Sequence, residues 1–229
     1  MVVLVTGSAK GIGREVARPL TERGETVIVS ARDGTRARQV ADELGARAVE
    51  LDVTDDASVA AAADAIGELD VLVNNAAAFV DWSEMASAAD LATARGVIDT
   101  NLLGTWRVTQ AMLPLLRRSA HPRIVMVSSG GGSHADEQFG LTRRGGAAAT
   151  YGISKAALNA LTATLAAELA STPVLVNAVC PGLTATWPGA EQMGARPVAD
   201  GAASVLWAAT LPDDGPRGGF FRDGEPLGW

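Results

Sequence analysis

The chain has 229 residues, 48% of them hydrophobic and 20% charged, enough apolar material for one substantial core and a single domain spanning 1–229. A net charge of −7 lacks the basic balance that nucleic acid or an anionic membrane surface calls for, so neither partner is expected. The lone cysteine, Cys180, rules out an intrachain disulfide framework. Short β-branched runs then alternate with longer Ala- and Leu-rich stretches. Residues 2–6 read as a strand, 11–23 as a helix, 26–30 as a strand and 35–44 as a helix. A strand at 46–50, a helix at 56–66 and a strand at 71–74 follow, then one long helix over 90–116. The last pairs are a strand at 123–128 with a helix at 151–170, and a strand at 174–180 with a helix at 198–210. The strands are continuous apolar runs, as parallel strands covered on both faces are. The alternation therefore predicts an α/β fold, a single-domain doubly wound parallel sheet of Rossmann type with helices on both faces. Ligands of such a sheet bind outside the carboxyl ends of its strands. Two irregular segments lie on that side, 130–149 and 184–196, and are the expected substrate loops.

Two motifs carry chemistry. The first is TGSAKGIG at 6–13, where Gly7, Gly11 and Gly13 follow the first strand and open the first helix. Gly7 suits a tight turn, Gly11 lets a pyrophosphate approach the backbone, and Gly13 permits close helix–strand packing; Ile12 belongs to the same cofactor-binding turn. The second is the only tyrosine, Tyr151, four residues before Lys155. On a helix these share a face, so the ammonium can favour the ionised phenol and make it a usable proton donor. Together the motifs predict a nicotinamide cofactor. Which one follows from charge: a fold selective for NAD ends its second strand with an acid, whereas here Ala31 is followed by Arg32, with Lys10 in the glycine turn as a second cation. That predicts NADP(H), with Asp33 as the one acid close enough to argue for NAD.

With these stand Asp52-Val53, Asn74-Asn75-Ala76, Asn101, Ser128-Ser129 and Pro181-Gly182. In order and spacing the set resembles the short-chain dehydrogenase/reductase family. The K-G-I-G turn, the S-A-R-D after the second strand and the short ending G-G-F-F-R-D-G-E-P-L-G-W look most like its NADPH-dependent carbonyl reductase branch. The resemblance implies that Tyr151 donates a proton to the substrate oxygen as hydride arrives, that Lys155 holds the nicotinamide ribose, and that Ser129, not Ser128, bonds the same oxygen. It implies that Asn101 anchors a water chain to the lysine, the alternative being a packed structural amide. Asp52 and Val53 would meet the adenine, with helix capping the other use of Asp52. Asn75 and Ala76 would support the cofactor, and Pro181, Gly182, Thr184 and Thr186 would meet its amide end. Ala77 departs from the family's glycine after Asn-Asn-Ala, and the spacing from Ser129 to Tyr151 is long.

The resemblance thus implies reduction of a ketone or aldehyde to an alcohol, or the same reaction run as NADP-dependent alcohol oxidation. A silent NADP(H)-binding sensor is the non-catalytic alternative. Trp82, Trp187 and Phe139 lie on loops at the ligand edge and predict a bulky or aromatic carbonyl or alcohol substrate. A hydrolase built on Ser129, His134 and Asp136 lacks the G-x-S-x-G elbow. No metal is expected, because His121 and His134 are the only histidines and lie far in sequence from Cys180. Met1 runs into an apolar strand without a basic leader, and no apolar stretch is long enough to span a bilayer, so the expected address is the cytoplasm. A homodimer through helices 90–116 and 151–170 is expected from their Ala- and Leu-rich surfaces and from the habit of the family.

Overall fold

A computed structural model describes residues 1–229, the side chain of Arg144 apart. Six parallel strands, β1 Val2–Val5, β2 Thr26–Ala31, β3 Arg47–Glu50, β4 Val71–Asn74, β5 Arg123–Val127 and β6 Leu175–Val179, are extended at one edge by β7 Phe220–Arg222 and β8 Glu225–Pro226. The order is β3-β2-β1-β4-β5-β6-β7-β8, with only β8 antiparallel. The chain reverses its winding between β1 and β4, which pair directly from Val3↔Val71 to Val5↔Val73. That reversal opens a crevice at their carboxyl ends.

Alternation along each strand divides the core in two. Leu4, Ile28, Leu72 and Ile124 face one side and pack under α3 Asp56–Ile66, α5 Thr105–Leu116 and α6 Ala149–Glu168. Val3, Val27, Val71 and Val125 face the other, under α1 Gly11–Glu22, α2 Gly34–Leu44 and α7 Val198–Ala209. Burying both faces is why the strands read as unbroken apolar runs. Helix starts are set locally: Asp33 caps α2 by accepting from Thr35 and Arg36, and Asp55 caps α3 by accepting from Ala57.

Two expectations are corrected. The single helix over 90–116 is broken into α4 Leu91–Ile98 and α5 by a wider π turn at Asp99–Gly104. There Gly104 comes so close to Val53 that a Cβ would sit 2.9 Å from its carbonyl oxygen, and Asn101 is turned inward. The hairpin β7–β8, absent from the sequence reading, forms because Ala178 and Val179 offer an open edge to Phe220 and Phe221.

Candidate active site

The glycine turn is built against the turn after β4. Gly7 and Gly11 are left-handed, with φ of 63° and 55°. A Cβ on Gly7 would lie 3.0 Å from Ala76 Cα, and one on Gly13 would lie 2.6 Å from Asn75 Nδ2 and 2.8 Å from Ser8 Cα. Gly13 therefore serves contact between two turns, where helix–strand packing was expected. Asn75 ties those turns together: its Nδ2 donates to Thr6 O at 2.8 Å and Gly7 O at 3.3 Å, while Thr6 Oγ1 accepts from the Asn75 and Ala76 amides at 2.8 and 2.9 Å. Ala77 does not adopt positive φ, so alanine there carries no backbone strain.

At the carboxyl end of β2, Arg32 is exposed. Asp33 points its carboxylate into the start of α2, where Oδ1 accepts from Thr35 N at 2.8 Å. Asp52, after β3, accepts from Thr54 N and Oγ1 at 2.9 and 2.7 Å; Asp55, not Asp52, caps the helix. Burial would raise the Asp52 carboxyl, but the Thr54 bonds and the fields of Arg32 and Arg107 outweigh it and hold the group below the usual carboxylate range. Val53 is buried beside it, and its carbonyl accepts from Arg107 at 2.7 Å.

At the carboxyl ends of β4, β5 and β6 lies a cavity of about 130 Å³. Ser129, Tyr151 and Lys155 line it together with Ile12, Asn75 and Ser128. Pro181, Gly182, Thr184 and Thr186 form the wall that follows β6. Tyr151 sits in the first turn of α6 and Lys155 one turn later, its Nζ 5.7 Å from the phenol ring centre. That amine donates to Val127 O at 2.9 Å, and burial lowers its pKa to about 8. The two serines diverge. Both line the cavity, but Ser128 Oγ is spent inside the fold, donating to Asn159 Oδ1 at 2.5 Å, whereas Ser129 Oγ accepts from Gly131 N at 3.1 Å and keeps its hydrogen. Lys10, Gly11, Arg32, Asp52 and Val53 lie outside the cavity wall, along the carboxyl edge of β1 to β3.

Asn101 is fully buried and does not line the cavity. Its Oδ1 accepts from Ala78 N at 2.7 Å, and its Nδ2 donates to Ala78 O at 2.9 Å and Ser154 Oγ at 3.0 Å. The side chain thus anchors the loop after β4 to α6. Trp82, Trp187 and Phe139 all line the cavity. Trp82 meets Trp187 at 5.6 Å between ring centres and stands edge-on to Tyr151 at 5.6 Å. Phe79, which the sequence reading missed, stacks on Tyr151 at 5.2 Å. It could have been found, since it stands on the same loop three residues before Trp82. Asp136 is committed elsewhere, to Arg222 and to the Gln138 and Phe139 amides, and among the described residues no hydrogen bond is seen between its carboxylate and Ser129 or His134. No cluster of metal-ligating side chains occurs among them either.

Residues 1–193 match the family model described as short chain dehydrogenase. The chain is 37% identical over 217 residues to the oxidoreductase UcpA of Salmonella typhimurium, covering 89% of this chain and 76% of that one. Among solved structures it is similar to NADPH-bound carbonyl reductase from chicken fatty liver, with a TM-score of 0.84, 26% identity, and 100% and 98% of the two chains covered. It is equally similar to a 3-oxoacyl-(acyl-carrier protein) reductase with bound NAD from Brucella melitensis, with a TM-score of 0.84, 30% identity, and 99% and 91% covered. The likeness thus does not single out the carbonyl reductase branch.

Proposed function

The chain belongs to the short-chain dehydrogenase family of oxidoreductases, and on that footing we propose that it reduces a ketone or aldehyde to the alcohol with NADPH, Tyr151 supplying the proton. The observation that carries this reading is the convergence of Ser129, Tyr151 and Lys155 on one cavity walled by the segment after β6. The glycine turn fits the cofactor's phosphates: two left-handed glycines bare the backbone at the start of α1, where unpaired amides and the helix dipole favour an anion. Gly7, Gly11, Ile12 and Gly13 would hold the pyrophosphate, Asp52 and Val53 the adenine, and Asn75 and Ala76 the turn beneath it. Pro181, Gly182, Thr184 and Thr186 would meet the amide end. The preference for NADP(H) rests on Arg32 and Lys10, with Asp33 withdrawn into a helix cap. When bound, the reduced nicotinamide supplies hydride.

The chain's own residues do the rest. Ser129 Oγ has one lone pair engaged by the Gly131 amide, which leaves its hydrogen for the substrate oxygen as that oxygen gains charge. Tyr151 gives its proton to the same atom, and the Lys155 cation beside it steadies the phenolate that results. Asn101 holds the floor of the site through Ala78 and Ser154. Phe79, Trp82, Phe139 and Trp187 offer flat apolar surface, suited to a bulky or aromatic carbonyl compound. We further read the protein as a cytoplasmic homodimer.

The test is Tyr151→Phe. Turnover should drop by at least about 100-fold, the usual reach of general acid catalysis, while NADPH affinity stays within about twofold of wild type. Near-normal turnover would overturn the assignment.

A further inference from the structure

Helices α2, α3 and α4 each begin on an aspartate that caps its own first turn, at Asp33, Asp55 and Asp90. Helix α6, which carries Tyr151 and Lys155, cannot do so. The residue before it is Ala148, buried, left-handed at φ 54° and without a side chain to accept a bond. Its opening amides are satisfied instead by a residue 65 positions earlier in the chain. Glu84 Oε2 accepts from Thr150 N at 2.8 Å, and Glu84 O accepts from Ala149 N at 3.3 Å. Met85 and Ala147 extend the contact as an antiparallel bridge.

Glu84 is itself set by a tight turn. Its amide donates to Asp81 O at 3.0 Å, and Asp81 Oδ1 accepts from Ser83 N and Oγ at 2.8 and 2.6 Å. Trp82 belongs to that turn and stands edge-on to the Tyr151 ring, and Phe79 just before it stacks on the ring's face. One loop therefore grips the phenol from two sides and closes the backbone of the helix turn from which it projects.

We propose that Glu84 is a positioning residue for the proton donor: by capping α6 from outside, it fixes the first helical turn and thereby the place of the Tyr151 hydroxyl over the cavity. A carboxylate at a helix start is favoured by the helix dipole as well as by the bonds it accepts. Glutamate is long enough to reach across from the neighbouring loop, and the arm matters: aspartate keeps the charge but falls one methylene short of Thr150. Glu84 does not line the cavity, so its loss should act on the rate after binding and leave binding alone. The inference rests on the reading of Tyr151 as the donor.

The experiment uses the full chain with NADPH and α-tetralone as the carbonyl probe, comparing Glu84→Ala, Glu84→Gln, Glu84→Asp and Tyr151→Phe. Glutamine keeps an acceptor oxygen at the same reach. Glu84→Ala should lower kcat at least about fivefold with KM and NADPH affinity within about twofold, while Glu84→Gln stays within about twofold of wild type in kcat. Amide exchange at Ala149 and Thr150 should quicken in the alanine variant and not in the glutamine one. If Glu84→Ala fails to fold, Glu84→Asp carries the comparison, and its kcat should fall likewise. Wild-type kcat in the alanine and aspartate variants, or a glutamine variant as impaired as alanine, would overturn the positioning role. If Tyr151→Phe turns over normally, the donor assignment falls; if it is inactive while Glu84→Ala is unimpaired, only the role of Glu84 falls.

Discussion

At Lys155 function and stability pull apart. The residue is 2% exposed, and burial drives its pKa from 10.5 to about 8, against a smaller pull from the Cys180 sulfur. Between those two values the unfolded chain binds a proton that the folded chain does not, so stability rises with pH across the window from about 8 to about 10.5. Below about pH 8 both states are charged, and the full cost of burying the ammonium, about 3 kcal/mol, is in place. Lys155→Met should therefore abolish turnover yet stabilise the protein at pH 7 by about 2 kcal/mol, after deducting about 1 kcal/mol for the bond to Val127. Urea titrations should find that advantage shrinking by about pH 9.5; a methionine variant less stable than wild type at pH 7 would refute the argument. The role proposed for Arg32 is likewise a matter of charge. Arg32→Ala should weaken NADPH by at least about tenfold, the scale of one charge-assisted bond, and NADH by less than about twofold, as read from dissociation constants. Equal losses would make Arg32 structural. The place of Arg32 at the carboxyl end of the second strand was legible in the sequence, the structure only lengthening that strand by Ala31. Asp33 was not, because whether it meets a ribose or caps α2 depends on a helix start that propensity cannot place to one residue.

The loop after β4 and the π turn facing it show where local pattern runs out. Residues 90–116 carry an unbroken helical periodicity, and nothing in it marks Asp99–Gly104 as wider. The cause is tertiary: Asn101 must reach Ala78, and Gly104 must let Val53 approach. Elements with their own apolar period or their own capping aspartate were legible to within a residue or two. The hairpin of β7 and β8 was not, because strands of three and two residues around Gly224 carry no periodicity of their own and form only where an open strand edge is there to pair with them. Asn101→Ala tests the coupling. It strips the partner from both the amide and the carbonyl of Ala78, and stability should fall by about 2–3 kcal/mol. Turnover should fall with it, because the same loop carries Phe79 and Trp82 against the Tyr151 ring. A variant with unchanged denaturation midpoint would show the amide to be dispensable.

The proposed dimer would draw on the apolar side chains that the helices leave uncovered. Along α4, the π turn that follows it, α5 and α6, the chain exposes Leu91 at 69%, Ile153 at 53%, Leu103 at 45% and Trp106 at 41%. Elsewhere the same helices bury their apolar residues in the core beneath the sheet, so these four are not left over from poor packing. Large exposed apolar groups on neighbouring elements suit an association surface. Leu91 and Leu103 also rim a shallow groove that includes Ile98 and Arg95. A two-fold axis across this face would set α4, α5 and α6 against their copies, with the same patch serving both partners and the open carboxyl edge of the sheet left clear for ligands. Light scattering should then give a particle of twice the 23.4 kDa chain. Trp106→Glu, which places a charge where the copies would meet, at a residue that does not line the cavity, should return it to a single chain with its cofactor affinity intact. Wild type running as a single chain across micromolar concentrations would overturn the dimer, and a Trp106→Glu protein still at double mass would move the interface to another face.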